Sequence, residues 1–157
     1  MSDELDPGAL PTDAVLVRTL READLPRIIT IDKKSVGRPR EEYFRSKVKA
    51  ASDAKMTTSL VAEQGGLVVG FVLAKLYYGE FGRTEPVAVM EAIGVDPEFR
   101  HKHVGQALMR QLEMNLRALN VERIETDVEW NQFDLLSFLA HRGFTPAPRV
   151  CLSLKLS

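Results

Sequence analysis

The stretch AVMEAIGVDPEFRHKHVGQALM, Ala88 to Met109, joins an apolar run to a polar turn and then to a helical pattern. The apolar part reads as a buried strand, and Asp96-Pro97 breaks it. Beyond the turn, Val104, Ala107, Leu108, Leu112, Leu116 and Leu119 recur at helical spacing, so they form one stripe that should face a sheet. A strand that feeds a helix through a short turn exposes the first N–H groups of that helix. With the positive end of the helix dipole, those groups can hold a phosphate or pyrophosphate. Arg100 and Lys102 add charge beside them. Any strand-to-helix junction shares this order, so the order alone leaves an anion site and a plain connection both open.

Working outward, VERIETDVEW (121–130) reads as a strand, and DLLSFLAHRGF (134–144) as a helix ended by Gly143. RVCLSLKL (149–156) alternates as a final strand. On the amino-terminal side, AVLVRTL (14–20) is a strand, and Asp24 is placed to cap a helix that turns Leu25, Ile28 and Ile29 inward. A second helix carries Tyr43, Phe44, Lys47 and Val48 at helical spacing. Two β-rich runs then flank Gly65-Gly66, a dipeptide suited to the positive φ angles of a tight hairpin. Three consecutive strands favour antiparallel pairing, whereas the strand, helix, strand passage from Val87 to Glu129 is the size of a parallel crossover. The fold class is therefore α/β with a mixed sheet.

Length and composition narrow the function. At 157 residues the chain fits one domain, with 45% hydrophobic and 27% charged residues typical of a folded protein. Residues 1–13, with four acids, two prolines and a glycine, read as a flexible acidic tail, and 14–157 as a single domain. A formal charge of -1 supplies no field for nucleic acid or an anionic membrane. The longest uncharged run, Gln64 to Ala74, is about half of the ~20 residues a membrane span needs. The acidic, turn-rich start is unlike a signal peptide. Cys151 is the single cysteine, which excludes an internal disulfide and points to a reducing, cytoplasmic setting. His101 and His103 lack a neighbouring acid or cysteine to complete a metal site, so no metal is expected.

The run VDPEFRHKHVGQALM resembles the cofactor signature of the GNAT superfamily of acetyl-CoA-dependent N-acetyltransferases, V-x-P-x-x-[RQ]-x-x-G-x-[GA]. Val95, Pro97, Arg100 and Gly105 match, while His101 and His103 stand where glycines are frequent. The likeness extends from Val15 to Leu156 through the opening VRTLREADLPRI, the GGLVVGFVLA hairpin and WNQFDLLSFLAHRGF. It implies a centrally splayed sheet flanked by helices, with pantetheine inserted between the fourth and fifth strands. It further implies that Arg100, His101, Lys102, His103, Val104, Gly105 and Gln106 hold the pyrophosphate of acetyl-CoA. Ile93, Gly94 and Val95 would lie along the pantetheine and thioester, and Asn131 would contact the cofactor. Possible homodimers, as in many relatives, are a further implication.

The implied reaction is direct attack of a primary amine on the thioester. The developing oxyanion needs a donor, such as a strand N–H near Ile93. The amine, with an ordinary pKa of about 10.4, needs a group to take its proton. Glu91, an acid in an apolar strand, is the candidate base; the alternative is an exposed strand position or a structural ion pair. The family tyrosine that protonates the departing thiolate has its column occupied by Leu139, which leaves Tyr78, Tyr77 or solvent; we take Tyr78 as the candidate. Glu125, Asp127 and Glu129 alternate as one acidic face suited to a cationic acceptor, or as a solvated edge. Seven basic residues against two acids between Lys33 and Lys49 argue for an acceptor carrying a carboxylate or phosphate, or for a solvated helical face. The competing class is a non-catalytic acyl-CoA-binding regulatory or interaction module, to which His103 and Leu139 would be suited.

Overall fold

The computed structural model describes residues 14–37, 40–54, 57–78, 82 and 84–157; the amino-terminal tail and Arg38 lie outside them. The described residues form two compact units, divided after Thr126. The first holds a five-stranded sheet in the order β1 (Leu16–Thr19), β2 (Leu60–Gln64), β3 (Leu67–Tyr77), β4 (Val87–Val95), β5 (Ile124–Thr126). The first four strands are antiparallel and β5 runs parallel to β4, so the sheet is mixed as the element order requires. Helices α1 (Leu25–Val36), α2 (Glu41–Asp53) and α3 (Val104–Ala118) complete this unit. No helix among the described residues is long and apolar enough to cross a membrane.

Gly65 and Gly66 turn the β2–β3 hairpin at φ 58° and 79°, values that an L side chain adopts with strain. Successive residues of β3 point to opposite faces. Phe71 and Leu73 join Ile28, Ile31, Phe44 and Val48 in the core beneath α1 and α2. Gly70 faces the other helix: a methyl group there would sit 2.7 Å from Val104 Cγ1 and 3.1 Å from Leu108 Cδ1. Glycine thus lets α3 lie directly on β3, and the buried stripe Val104, Leu108, Leu112 and Leu116 is the one the helical spacing marks out.

Two expectations need correction. The run 121–130 is strand only over Ile124–Thr126, so Asp127 and Glu129 share no strand face with Glu125, and the acidic face dissolves. Residues 149–156, whose alternation predicts a strand, have no regular structure and are exposed; a strand needs a partner ladder as well as a period. Asp24 also differs in role. It stands at the start of α1 but does not cap it; its carboxylate accepts from the Arg18 guanidinium at 2.8 and 2.9 Å and from the Arg21 N–H at 2.8 Å. The second unit contains α4 (Phe133–His141), after which Gly143 adopts φ 98° as expected of a residue following a helix end.

Candidate active site

β4 is regular until Met90 and irregular after it. Ala74 pairs with Met90 and Leu73 with Ala92, so Glu91 is an extra residue, a β-bulge. At the same place β5 stops: its partners are Ala88, Val89 and Met90 alone. The Thr126 hydroxyl closes that ladder by donating to the Met90 carbonyl at 2.8 Å. Beyond it, Glu91 to Val95 have no partner strand on the β5 side among the described residues, and all five are half-buried. Past Met90, β4 thus continues without β5 through Ile93, Gly94 and Val95. Glycine is required in that stretch because a Cβ at position 94 would lie 2.6 Å from the buried Phe71 ring.

The carboxylate at the bulge has a partner that sequence reading did not find. Lys47 of α2 donates from its ammonium to Glu91 Oε2. That hydrogen bond, outweighing partial burial, raises the Lys47 pKa above its ordinary value, so Lys47 carries its charge at neutral pH. Tyr43 lies beside it, with the Lys47 Nζ 5.8 Å from its ring centre.

β4 is followed by Asp96, whose buried side chain organises the turn. It accepts from the Glu98 N–H at 3.1 Å, from Arg27 at 3.0 Å and from Lys34 at 3.1 Å, while its own N–H donates to the Val69 carbonyl at 2.8 Å. Burial pushes this carboxyl up, but the Glu98 N–H and the two cations prevail and hold it below its ordinary value. Arg27 also donates to the Val68 carbonyl, so α1, β3 and the turn are tied at one point. The 3-10 helix Pro97–Lys102 follows, then His103, then α3.

His103 takes φ 59°, left-handed backbone that favours glycine, which gives a structural reason for glycine at this point of the signature. For a non-glycine residue this costs about 1–2 kcal/mol, against about 0.5–1 kcal/mol of extra unfolded-state freedom for glycine. His103→Gly is therefore expected to raise unfolding stability by about 0.5–1 kcal/mol in urea titrations with unchanged slope; a loss would show that the imidazole makes a compensating contact.

The structure brings most of the candidates together. Glu91, Ile93, Gly94 and Val95 on β4, Arg100, His101 and Lys102 in the turn, and His103, Val104, Gly105 and Gln106 at the start of α3 form one continuous path in the first unit. Gly105 presents no side chain to a ligand over the first turn, and the Arg100 side chain is exposed. Tyr78 stands apart: it is exposed, one residue past β3, and four residues beyond Ala74, or about 13 Å along a strand. Asn131 lies in the second unit, exposed, in the turn before α4, and Leu139 is buried within α4. Of the basic stretch, Lys34, Arg40, Lys47 and Lys49 each pair with an acid. No group of three or more potential metal ligands occurs among the described residues.

A half-buried strand end without a neighbour on the β5 side among the described residues, leading through a turn into the start of α3, suits a long ligand with an anionic end. Comparison with known proteins agrees. The chain matches the description "Acetyltransferase (GNAT) family" over residues 20–144. Among solved structures it is similar to a transcriptional regulator from Bacillus halodurans C-125, with a TM-score of 0.76 and 18% identity over 91% of this chain and 100% of that one. The aminoglycoside N-acetyltransferase AAC(6')-Iy in complex with CoA gives 0.74 and 20% identity over 98% and 100%. A ribosomal-protein-alanine N-acetyltransferase from Brucella melitensis biovar Abortus 2308 gives 0.70 and 17% over 91% and 100%. The chain belongs to the acetyltransferase (GNAT) family, and its co-substrate is acetyl-CoA.

Proposed function

We propose that this protein is an N-acetyltransferase that acetylates a primary amine by direct attack within a ternary complex. The observation that carries the reading is the carboxylate at the β4 bulge, placed where the strand turns from paired to open. Acetyl-CoA supplies an activated acyl carbonyl. The N–H groups of Val104, Gly105 and Gln106, with Arg100, His101, Lys102 and His103 around them, hold its pyrophosphate, as the dipole of α3 favours. Ile93, Gly94 and Val95 line the pantetheine, and the backbone near Ile93 donates to the developing oxyanion. Glu91 takes the proton of the acceptor ammonium, and its hydrogen bond with Lys47 keeps the carboxylate oriented. The distance of Tyr78 from the bulge leads us to assign the proton for the departing thiolate to solvent water, in place of that side chain. Two of the similar structures act, by their names, on an aminoglycoside and on a protein alanine, both sources of a primary amine.

A second reading, a non-catalytic acyl-CoA-binding module, draws on the similar structure named as a transcriptional regulator and on Leu139. Titration calorimetry with acetyl-CoA, followed by thiol release with a panel of amines, separates the two. The enzyme is expected to bind acetyl-CoA at micromolar concentration and to release CoA faster with at least one amine. Binding without amine-dependent release supports the module, and absence of binding removes both.

A further inference from the structure

The carboxylate assigned as base already holds a primary amine. Met90 pairs with Ala74 and Ala92 with Leu73, and neighbours on β3 face opposite sides, so the bulge puts Met90 and Ala92 on opposite faces of the sheet. Ala92 packs against the core beneath α1 and α2, and Glu91 meets the Lys47 ammonium of α2 on that side. Lys34 and Lys49 also pair with acids, but their partners are Asp96 in the turn and Asp53 of α2 itself. Lys47 is the one of these three bonded to the base. Its side chain is 36% exposed and that of Glu91 15%, so the pair is open on the lysine side and the amine has room to move. Ile93, whose backbone is assigned to the thioester oxygen, lies two residues beyond Glu91, about 7 Å along a strand. A flexible four-carbon stem spans such a distance.

We propose that Lys47 is itself an acetylation site, modified within the same chain by that chain's own bound acetyl-CoA; the proposal rests on the N-acetyltransferase reading above. Glu91 takes one proton from the Lys47 ammonium. The freed lone pair on Nζ attacks the acetyl carbonyl carbon, an N–C bond forms, and the C–S bond breaks with its electron pair going to sulfur. A second proton leaves the nitrogen and reaches the thiolate through water, and the proton on Glu91 returns to solvent. The products are Nε-acetyllysine, free CoA and one proton. The hydrogen bond that keeps Lys47 charged makes it a slow nucleophile, but a tethered amine already at the base needs no encounter, and this offsets the handicap. The reaction occurs once per chain. It removes the positive charge from beside Glu91, which then meets any other acceptor without its ammonium partner.

Incubation of the full chain with isotopically labelled acetyl-CoA and no added amine, read by peptide mass spectrometry, tests this. Spontaneous acetylation follows exposure and favours Lys49, whose side chain is 70% exposed, over Lys47. The expected order is the reverse: Lys47 approaches full acetylation, whether present on purification or gained as label, about tenfold or more ahead of Lys49. At saturating acetyl-CoA the half-time should not change when the protein is diluted. Glu91→Gln should slow the modification of Lys47 about a hundredfold or more and leave that of Lys49 as it was. The ratio of Lys47 to Lys49 is read in the unaltered protein, so the test stands even if that substitution impairs folding. Acetylation that follows exposure, a half-time that lengthens on dilution, or equal modification in folded Glu91→Gln overturns the proposal. Amine-dependent release of CoA by a protein whose Lys47 stays unmodified overturns it alone, whereas absence of acetyl-CoA binding in calorimetry removes the N-acetyltransferase reading with it.

Discussion

Glu91→Gln is expected to bind acetyl-CoA as the unaltered protein does and to turn over its amine acceptor about 10²–10⁴-fold more slowly, the range for loss of a general base. Glutamine keeps the size of the side chain and loses its basicity. It also breaks the ion pair with Lys47, so a second variant is needed to tell chemistry from structure. Lys47→Met breaks the same pair and keeps the carboxylate; its turnover should stay within about tenfold of normal. The Lys47 side chain is 36% exposed, and a pair so open contributes about 1 kcal/mol or less, so both variants should fold. Normal turnover in Glu91→Gln would leave the pair a structural contact and remove the base assignment.

The second large effect falls on Asp96. Asp96→Asn leaves Arg27 and Lys34 without their shared carboxylate in a site where the acid is 1% exposed. The acid is buried but its cations are 28% and 37% exposed, so loss of the charge costs about 1.5–3 kcal/mol, or roughly 3–12 °C in Tm for a chain of this size. Cofactor affinity should fall as well, because Asp96 ties α1 and β3 to the turn that leads into α3. The pH dependence gives a separate check. The Asp96 carboxyl is held below its ordinary value of about 3.9, so its contribution is present above that value and is lost as pH falls through the lower folded-state value. The stability gap between the two proteins should be full at neutral pH and narrow in strong acid. Calorimetric or denaturant curves at several pH values measure it, and a gap independent of pH would place the effect of the substitution elsewhere.

Much of this was legible because short-range pattern reports short-range structure. Gly65-Gly66 announces its hairpin, and the stripe on α3 announces the face that meets β3. The Val95 to Gln106 path needs little more, since its residues are adjacent in the chain. Features that depend on a distant partner left no such trace. The Lys47–Glu91 pair joins residues 44 apart, and nothing in either segment names the other. The Asp96 network spans 69 residues to Arg27, so the acid reads locally as one position of a turn. A bulge is an offset between two strands, invisible in the periodicity of either. The residues 149–156 show the converse: their pattern is that of a strand, but the pattern is silent on who pairs with it.

The bulge at Glu91 also bears on how this position can vary. The pairs on either side, Ala74 with Met90 and Leu73 with Ala92, already account for the ladder, so residue 91 is supernumerary to it. Its neighbours are bound by the alternation of the sheet and by what they touch, as Gly94 is by the Phe71 ring. Position 91 is released from that obligation. Selection can therefore try acids, amides or apolar side chains there at small expense to the scaffold, and the same backbone can host different proton chemistry without being redrawn.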